Sequence, residues 1–182
     1  MSATTRCWST RAIFTTPFRC NTATSSLLSW LTATANTGDR FDVAIIDSTD
    51  PIGPGEVLFT REFYADCKRL LKPSGVLVTQ NGVPFLQPAE LKNTLFNFAQ
   101  LFADAGCYLT VLPSYVGGFM ALGWGTDNKA LRAVSLADIE QRFAAAGLDT
   151  RYYTPEVHKG AFALPRFIAD IVADALNEAA RR

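Results

Sequence analysis

The sequence lacks the features that usually mark nucleic-acid surfaces, membrane spans and metal sites. The formal net charge of its 182 residues is zero at pH 7, which argues against nucleic acid as the main partner. No apolar run approaches the ~20 residues that a transmembrane helix needs, so no membrane partner is expected. The four cysteines lie far apart without a CxxC pair, so the sequence predicts no metal site and no disulfide framework.

A glycine-rich nucleotide loop is also missing, since no GxGxG-like run occurs anywhere in the chain. With 48% apolar and 19% charged residues, the composition is that of a globular protein and not of a disordered one. The length suffices for one domain with a sizeable core. The cysteines are interpreted as reduced thiols, with Cys67 and Cys107 in apolar surroundings typical of a core, and a cytoplasmic location is expected.

The segment from Phe41 to Pro54 combines a strand pattern with two closely spaced carboxylates. Val43 to Ile46 form a continuous apolar run, which is typical of a parallel strand covered on both faces. In open α/β sheets, ligands bind beyond the carboxyl ends of the strands, which is where Asp47 and Asp50 follow. The two carboxylates suit a small cationic ligand. The alternative, that they only cap backbone amides in a tight loop, stays open.

The rest of the chain alternates between helix and strand patterns. Thr60 is predicted as the N-cap of a helix that ends at Lys72 to Gly75, and a buried strand follows from Val76 to Gln80. A second helix is predicted from Pro88, with Gly106 as its end. The next two strands, joined by a short link and therefore antiparallel, are expected at Cys107 to Leu112 and Phe119 to Trp124.

Two further helices are predicted towards the C-terminus. Ser135 begins the first of them with a sequence that resembles a capping box, and Gly147 ends it. The last helix is expected from Leu164 to Leu176. Its inward residues are predicted to be Phe167, Ile168, Ile171, Val172 and Leu176. For His158, the single histidine, a loop position satisfied by backbone is favoured over a catalytic role.

Several motifs resemble one enzyme family in order and spacing. The run Asp47-Ser48-Thr49-Asp50-Pro51-Ile52-Gly53-Pro54 resembles the polyamine aminopropyltransferases, the spermidine synthases above all. Gln80-Asn81-Gly82, Pro113-Ser114-Tyr115 and the segment from Tyr152 to Pro165 are similar too. The resemblance covers residues 41 to about 176.

This resemblance implies a fold and a reaction. The fold would be α/β, a Rossmann-like (methyltransferase-like) sheet with helices on both faces. The reaction would move an aminopropyl group from decarboxylated S-adenosylmethionine, a co-substrate, to putrescine, and would give spermidine and methylthioadenosine. No cofactor is implied. Asp47 occupies the position of the family's proton acceptor, and the position of Pro54 contacts the adenosyl thioether. The implied polyamine-binding residues are Asp47, Ser48, Thr49, Asp50, Gln80 and Tyr115.

The chemistry of the residues is consistent with that role. A primary alkylammonium has a pKa of roughly 10 and is not a nucleophile while it is protonated. A carboxylate attracts the diamine and can take its proton, although a carboxylate is a weak base for this task. The positive sulfonium of the donor lowers the pKa of the nearby amine, and alignment of nitrogen with the carbon attached to sulfur supplies the rest. Asp50 would hold the diamine.

Residues 1–40 differ from the rest because they are rich in Ser and Thr, with four arginines and one acid. They are interpreted as a transit peptide, a disordered tail or an artefactual start of a longer gene, with residues 41–182 as the C-terminal part of the catalytic domain. The fold would then be truncated in its N-terminal half, and the family's nucleoside-binding positions cannot be transferred.

Three functions therefore stay open. The first is an aminopropyltransferase, whose acceptor amine the sequence does not specify. The second is an inactive remnant that binds a polyamine or pairs with another subunit. The third, a methyltransferase-like protein with another substrate, is weaker because the Asp47 to Pro51 loop and Tyr115 are typical of polyamine handling. An apolar face left bare would make the isolated chain poorly soluble or a homo-oligomer, a dimer or tetramer.

Overall fold

The computed structural model describes residues 40–48, 50–114 and 118–182. The strands are β1 (Phe41–Ile46), β2 (Leu71–Gln80), β3 (Asp104–Val111) and β4 (Phe119–Thr126). The α-helices are α1 (Arg61–Arg69), α2 (Pro88–Leu101), α3 (Leu136–Ala146), α4 (Pro155–Ala161) and α5 (Arg166–Ala180). Short 3-10 helices span Gly53–Phe59 and Leu131–Ala133. No helix in the described part of the chain is both long and apolar enough to cross a membrane.

The four strands form one mixed sheet in the order β1-β2-β4-β3. β1 and β2 are neighbours and run parallel. Asp47, which follows β1, and Gln80, which ends β2, therefore lie at the same edge of the sheet. β4 pairs antiparallel with both β2 and β3. This confirms the predicted antiparallel pair and the α/β sheet class.

The core lies between the sheet and three helices. One cluster joins α1 and α2 to the first two strands through Tyr64, Leu77 and Phe98. A second joins α2 and α5 to the last two strands through Leu95 and Ile168. On the other face of the sheet, Phe162 packs against Trp124 and Tyr108, with ring centroids 5.6 and 5.4 Å apart. Helices or their flanking residues thus cover both faces at β3 and β4.

The prediction that the first strand is covered on both faces is wrong at Ile45, which is 64% exposed. Alternate side chains of a strand point to opposite faces. Ala44 and Ile46 face the cluster beneath α1 and α2, whereas Ile45 points away from it.

Two predicted boundaries are also wrong. The second strand begins at Leu71, not at Val76. Pro73 and Gly75 lie within it, in the part where the pairing between β1 and β2 shifts register. Helix α2 ends at Leu101, and Gly106 lies in β3. A Cβ atom on Gly106 would lie 3.1 Å from Nη1 of Arg132, so close packing rather than helix termination accounts for this glycine.

The predicted helix caps are confirmed. The backbone N–H of Phe63 donates to Thr60 Oγ1 at 3.3 Å, and that of Asp138 donates to Ser135 Oγ at 3.1 Å. Gly147 ends α3 with φ of 58°, a left-handed conformation that glycine adopts readily. Cys67 and Cys107 are free thiols and both are buried, as predicted.

The C-terminal predictions need two corrections. His158 lies within helix α4, not in a loop, and its Nδ1 is 3.2 Å from the hydroxyl of Tyr153. Helix α5 runs from Arg166 to Ala180, later than expected. Phe167 was predicted to face inward but is 44% exposed, because it lies beside the exposed ring of Phe85 instead of the core.

Candidate functional site

The candidate site lies at the edge of the sheet where β1 and β2 end. Asp47 follows β1 directly, and both Asp47 and Asp50 are exposed. Gln80 is the last residue of β2. With its amide oriented to satisfy both contacts, Gln80 Nε2 donates to Asp47 Oδ1 at 2.6 Å and to the Ser48 carbonyl at 3.1 Å. The parallel pairing thus brings together two residues that are 33 positions apart in the sequence.

Ser48 also connects the loop after β1 to β2. It is 6% exposed, and its hydroxyl donates to the Gln80 carbonyl oxygen at 2.8 Å. These hydrogen bonds are mutual, since Gln80 donates to the Ser48 carbonyl. The direction of the Asp47 side chain is therefore set by a strand and not by a freely moving loop. Any contact of Ser48 with an amine stays a prediction.

Asp50 is held by a residue that sequence reasoning left without a role. Gln87 Nε2 donates to Asp50 Oδ1 at 3.1 Å, and Gln87 Oε1 accepts from the backbone N–H of Val83 at 3.3 Å. Gln87 precedes helix α2, which begins at Pro88 as predicted. The signal that could have identified Gln87 is its place just after the end of β2, in the turn that opens α2.

Glu90 is a third acid, close enough to Asp50 to interact with its charge, and sequence reasoning missed it as well. Burial, and then the charge of Asp50, raise the pKa of Glu90 to about 7. Glu90 Oε2 is buried and has no hydrogen-bond partner among the described residues. The arrangement therefore contains two exposed carboxylates, Asp47 and Asp50, and a partly buried one, Glu90, whose pKa is raised.

A buried polar network supports this edge of the sheet. Asn81 is fully buried and accepts hydrogen bonds from Thr79 Oγ1 at 2.9 Å and from the Gly123 N–H at 3.1 Å. Its amide donates to Thr94 Oγ1 at 2.7 Å, and that oxygen lies 2.9 Å from the Tyr64 hydroxyl. β2, β4, α1 and α2 are thus joined directly beside Gln80, which fixes the position of the strand end.

Not every predicted site residue can be placed. Thr49 and Tyr115 lie outside the described residues. Pro54 lies in the first turn of the 3-10 helix Gly53–Phe59. The structure therefore brings together Asp47, Ser48 and Gln80, and Gln87 connects Asp50 to the backbone of Val83 in the turn after β2. Among the described residues, no group of three or more His, Cys, Asp and Glu side chains is arranged to hold a metal ion.

A pocket of about 260 Å³ lies at the opposite end of the strands, lined by Arg40, Lys68 and Lys72 among others. Two of its lysines form ion pairs, since Lys68 Nζ lies 2.7 Å from Asp127 Oδ2 and Lys72 Nζ lies 2.8 Å from Asp42 Oδ2. The pocket is thus remote from the carboxylates that follow β1, and its lining offers ion pairs rather than reactive groups.

Comparison with known proteins identifies the family. Residues 13–135 match the model of the spermine/spermidine synthase domain. The chain belongs to the spermine/spermidine synthase family. The family match begins at residue 13, whereas the motif resemblance starts at Phe41.

Curated relatives of this family include two bacterial polyamine aminopropyltransferases. That of a Ruegeria species is 61% identical over 132 residues, which is 72% of this chain and 46% of the relative. That of Pseudomonas syringae pv. tomato is 49% identical over 144 residues, which is 79% of this chain and 50% of the relative. The chain thus spans about half the length of the curated relatives it matches.

Solved structures of the family share the fold. A spermidine synthase in complex with the transition-state analogue AdoDATO has a TM-score of 0.68 and 28% identity, with 79% of this chain and 48% of that chain covered. Spermidine synthase from Thermotoga maritima has a TM-score of 0.65 and 27% identity, with 79% and 47% covered. The prediction of a Rossmann-like sheet of this family is confirmed.

Alanine at Gly82 is expected to disturb the Gln87–Asp50 contact. Gly82 has φ of +60°, and a Cβ there would lie 2.5 Å from Gln87 Oε1. Gly147 is a matched control, because it has φ of +58° and nothing within 4 Å of an added Cβ. Both Gly→Ala changes cost about 1 kcal/mol for the left-handed backbone. We expect Gly82→Ala to cost about 1 kcal/mol more in urea unfolding, since Gln87 must move. Equal losses would contradict this account of Gly82.

Proposed function

We propose that this chain carries the amine site of an aminopropyltransferase, which moves an aminopropyl group from decarboxylated S-adenosylmethionine to putrescine. The observation that carries the proposal is the Asp47–Gln80 contact of 2.6 Å at the carboxyl end of two parallel strands. This is the edge at which open α/β sheets bind ligands. Family membership supports the reaction class, and the exposed carboxylates support a cationic acceptor.

In this proposal Asp47 accepts the proton of the reacting amine. The amine nitrogen forms a bond to the aminopropyl carbon while the bond from that carbon to sulfur breaks. The electron pair stays on sulfur, so the sulfonium becomes the neutral thioether of methylthioadenosine. The proton that nitrogen loses passes to Asp47. Gln80 keeps the Asp47 carboxylate in one orientation and so helps to align the amine nitrogen with the carbon that it attacks.

The second carboxylate positions the acceptor. Asp50, held by Gln87 at 3.1 Å, would pair with the ammonium group at the far end of the diamine. Thr49 and Tyr115 would complete the amine pocket, and Pro54 would contact the thioether, as the resemblance implies. Assembly of the chain as a homo-oligomer is part of the same proposal.

A second candidate is a module that binds a polyamine or another subunit without catalysis. Exposed apolar side chains beside the carboxylates favour it, since Ile45 is 64% and Ile52 is 75% exposed. Apolar groups at such a position suit a protein contact as well as a ligand. Product formation separates the two candidates, because a binding module releases no methylthioadenosine.

Two carboxylates predict a preference for a dication. n-Butylamine has the length of putrescine but only one ammonium group, so it cannot pair with Asp47 and Asp50 together. We expect at least a tenfold lower kcat/KM with n-butylamine, since one lost charge-assisted contact costs about 1.5–3 kcal/mol. The measurement is methylthioadenosine release with decarboxylated S-adenosylmethionine and each amine. Equal kcat/KM values would contradict a two-carboxylate amine site, and no release with either amine would favour the binding module.

A further inference from the structure

Glu90 carries a carboxylate oxygen whose surroundings do not suit an isolated charge. It lies in the first turn of α2, and its Oε2 atom is shielded from solvent without a hydrogen-bond partner among the described residues. The same oxygen would lie 3.4 Å from a Cβ on Gly82, which places it directly behind the end of β2. Glu90 as a whole is only partly buried, but a shielded carboxylate oxygen without a partner costs free energy unless the carboxyl group is protonated or pairs with a cation.

The charged group that shifts the Glu90 pKa among the described residues is a carboxylate and not a cation. Asp50, on the loop after β1, interacts electrostatically with it and has the same sign. Tyr64, on α1, also interacts electrostatically with Glu90, and its hydroxyl lies 2.9 Å from Thr94 Oγ1. Burial raises the pKa of Tyr64, so that hydroxyl stays neutral. Glu90 therefore lies near a carboxylate of the amine site, and no cation among the described residues contributes to its pKa shift.

We infer that Glu90 is a further amine-binding residue. Its carboxylate and that of Asp50 both pair with the distal ammonium group of the bound diamine. This inference rests on the proposed amine site. It accounts for a shielded carboxylate oxygen that has no hydrogen-bond partner among the described residues. It also assigns the three acids distinct roles, with Asp47 at the reacting nitrogen and Asp50 and Glu90 at the other end of the acceptor.

A proton linkage follows from this role. With its pKa raised to about 7, Glu90 is mostly neutral at pH 6 and mostly ionised at pH 8 in the free protein. A bound ammonium favours the ionised form, so binding at pH 6 releases a proton and binding at pH 8 does not. The ammonium groups themselves have pKa values near 10 and do not titrate in this window. Amine affinity should thus rise by about tenfold from pH 6 to pH 8, as the ionised fraction of Glu90 does.

Calorimetric titration of putrescine into the whole 182-residue chain tests the inference. It is run at pH 6 and pH 8, each in two buffers of different ionisation enthalpy, with wild type, Glu90→Gln and the control Glu140→Gln. Glutamine has the shape of the protonated acid, and Glu140 is exposed on α3. We expect wild type and Glu140→Gln to release close to one proton at pH 6 and to bind about tenfold more tightly at pH 8. Glu90→Gln should lose both effects and bind more weakly at pH 8.

Each other outcome contradicts a definite part of the account. If Glu90→Gln binds putrescine with the affinity and pH dependence of wild type, the inference about Glu90 is wrong and the amine site stands. If wild type binds putrescine at pH 6 without releasing a proton, the inference about Glu90 is also wrong. This result does not depend on the folding of any variant. If wild type binds no putrescine at either pH, both the proposed function and the role of Glu90 are wrong.

Discussion

Replacement of Asp47 by Asn is expected to lower the rate of aminopropyl transfer by about a thousandfold, within the range typical of a lost general base. Asparagine keeps the size of the side chain but cannot accept the proton of the amine. Because Gln80 holds this side chain through Oδ1, the substitution leaves one polar contact in place, and the fold should be retained. The expected loss is therefore in kcat, with a smaller change in KM for putrescine.

The control for this prediction is Asp149→Asn, since Asp149 is exposed after α3 and far from Asp47 in the chain. Both variants are compared with wild type by methylthioadenosine release and by thermal unfolding. A fall of less than tenfold in kcat for Asp47→Asn would mean that another group accepts the proton. A matching fall for Asp149→Asn would show that the assay responds to charge in general.

Replacement of Asn81 by Ala is expected to have the largest effect on stability. The side chain is fully buried and makes three hydrogen bonds, with Thr79, Thr94 and the Gly123 N–H. Alanine removes the Asn81 partner of Thr79 and of the Gly123 N–H, leaves Thr94 with Tyr64 alone and opens a cavity, which together cost about 3–5 kcal/mol. Urea unfolding at a fixed chain concentration measures this loss.

Asn177→Ala is the matched control, because Asn177 is exposed on helix α5. Alanine favours a helix more than asparagine does, so this change should be neutral or slightly stabilising. A loss below about 1 kcal/mol for Asn81→Ala would contradict the role assigned to the buried network, since a single ordinary hydrogen bond is worth that much. Retained transfer activity with lowered stability would show that the network supports the site without binding substrate.

Local patterns predicted the features that depend on local chemistry. The caps at Thr60 and Ser135 were found because a hydroxyl at an N-cap satisfies a helix N–H three residues later. The β3–β4 pair was found because two apolar runs with a short link must be antiparallel. The position of Asp47 at the end of a strand was found for a similar reason, since an apolar run that ends in a carboxylate is visible in one stretch of sequence.

Features that depend on tertiary contacts were missed. Pro73 and Gly75 look like the end of a helix, yet they lie within β2 because the strand extends past them opposite β1. Gly106 looks like a helix C-cap, yet the side chain of Arg132 occupies the space beside it. A glycine can serve a turn or close packing, and a single sequence does not distinguish the two uses.

The same reason explains the incomplete prediction of the site. Gln87 precedes α2 and Glu90 lies in its first turn, and apart from the place of Gln87 shortly after β2, nothing in this stretch of sequence indicates a ligand. They become part of the site only because the segment after β2 lies beside the loop after β1, where Gln87 donates a hydrogen bond to Asp50. Gln80 was found through family resemblance, whereas its 2.6 Å contact with Asp47 needed the parallel register of β1 and β2.

The most direct test of the account is product analysis with the purified 182-residue chain. The chain is incubated with decarboxylated S-adenosylmethionine and putrescine over a hundredfold range of chain concentration, and both products are quantified by mass spectrometry. The account predicts spermidine and methylthioadenosine in equal amounts, in proportion to chain concentration, and near-complete loss of both with Asp47→Asn. Putrescine binding without either product at any concentration would contradict the proposed transfer and would leave a polyamine-binding module as the function of this chain.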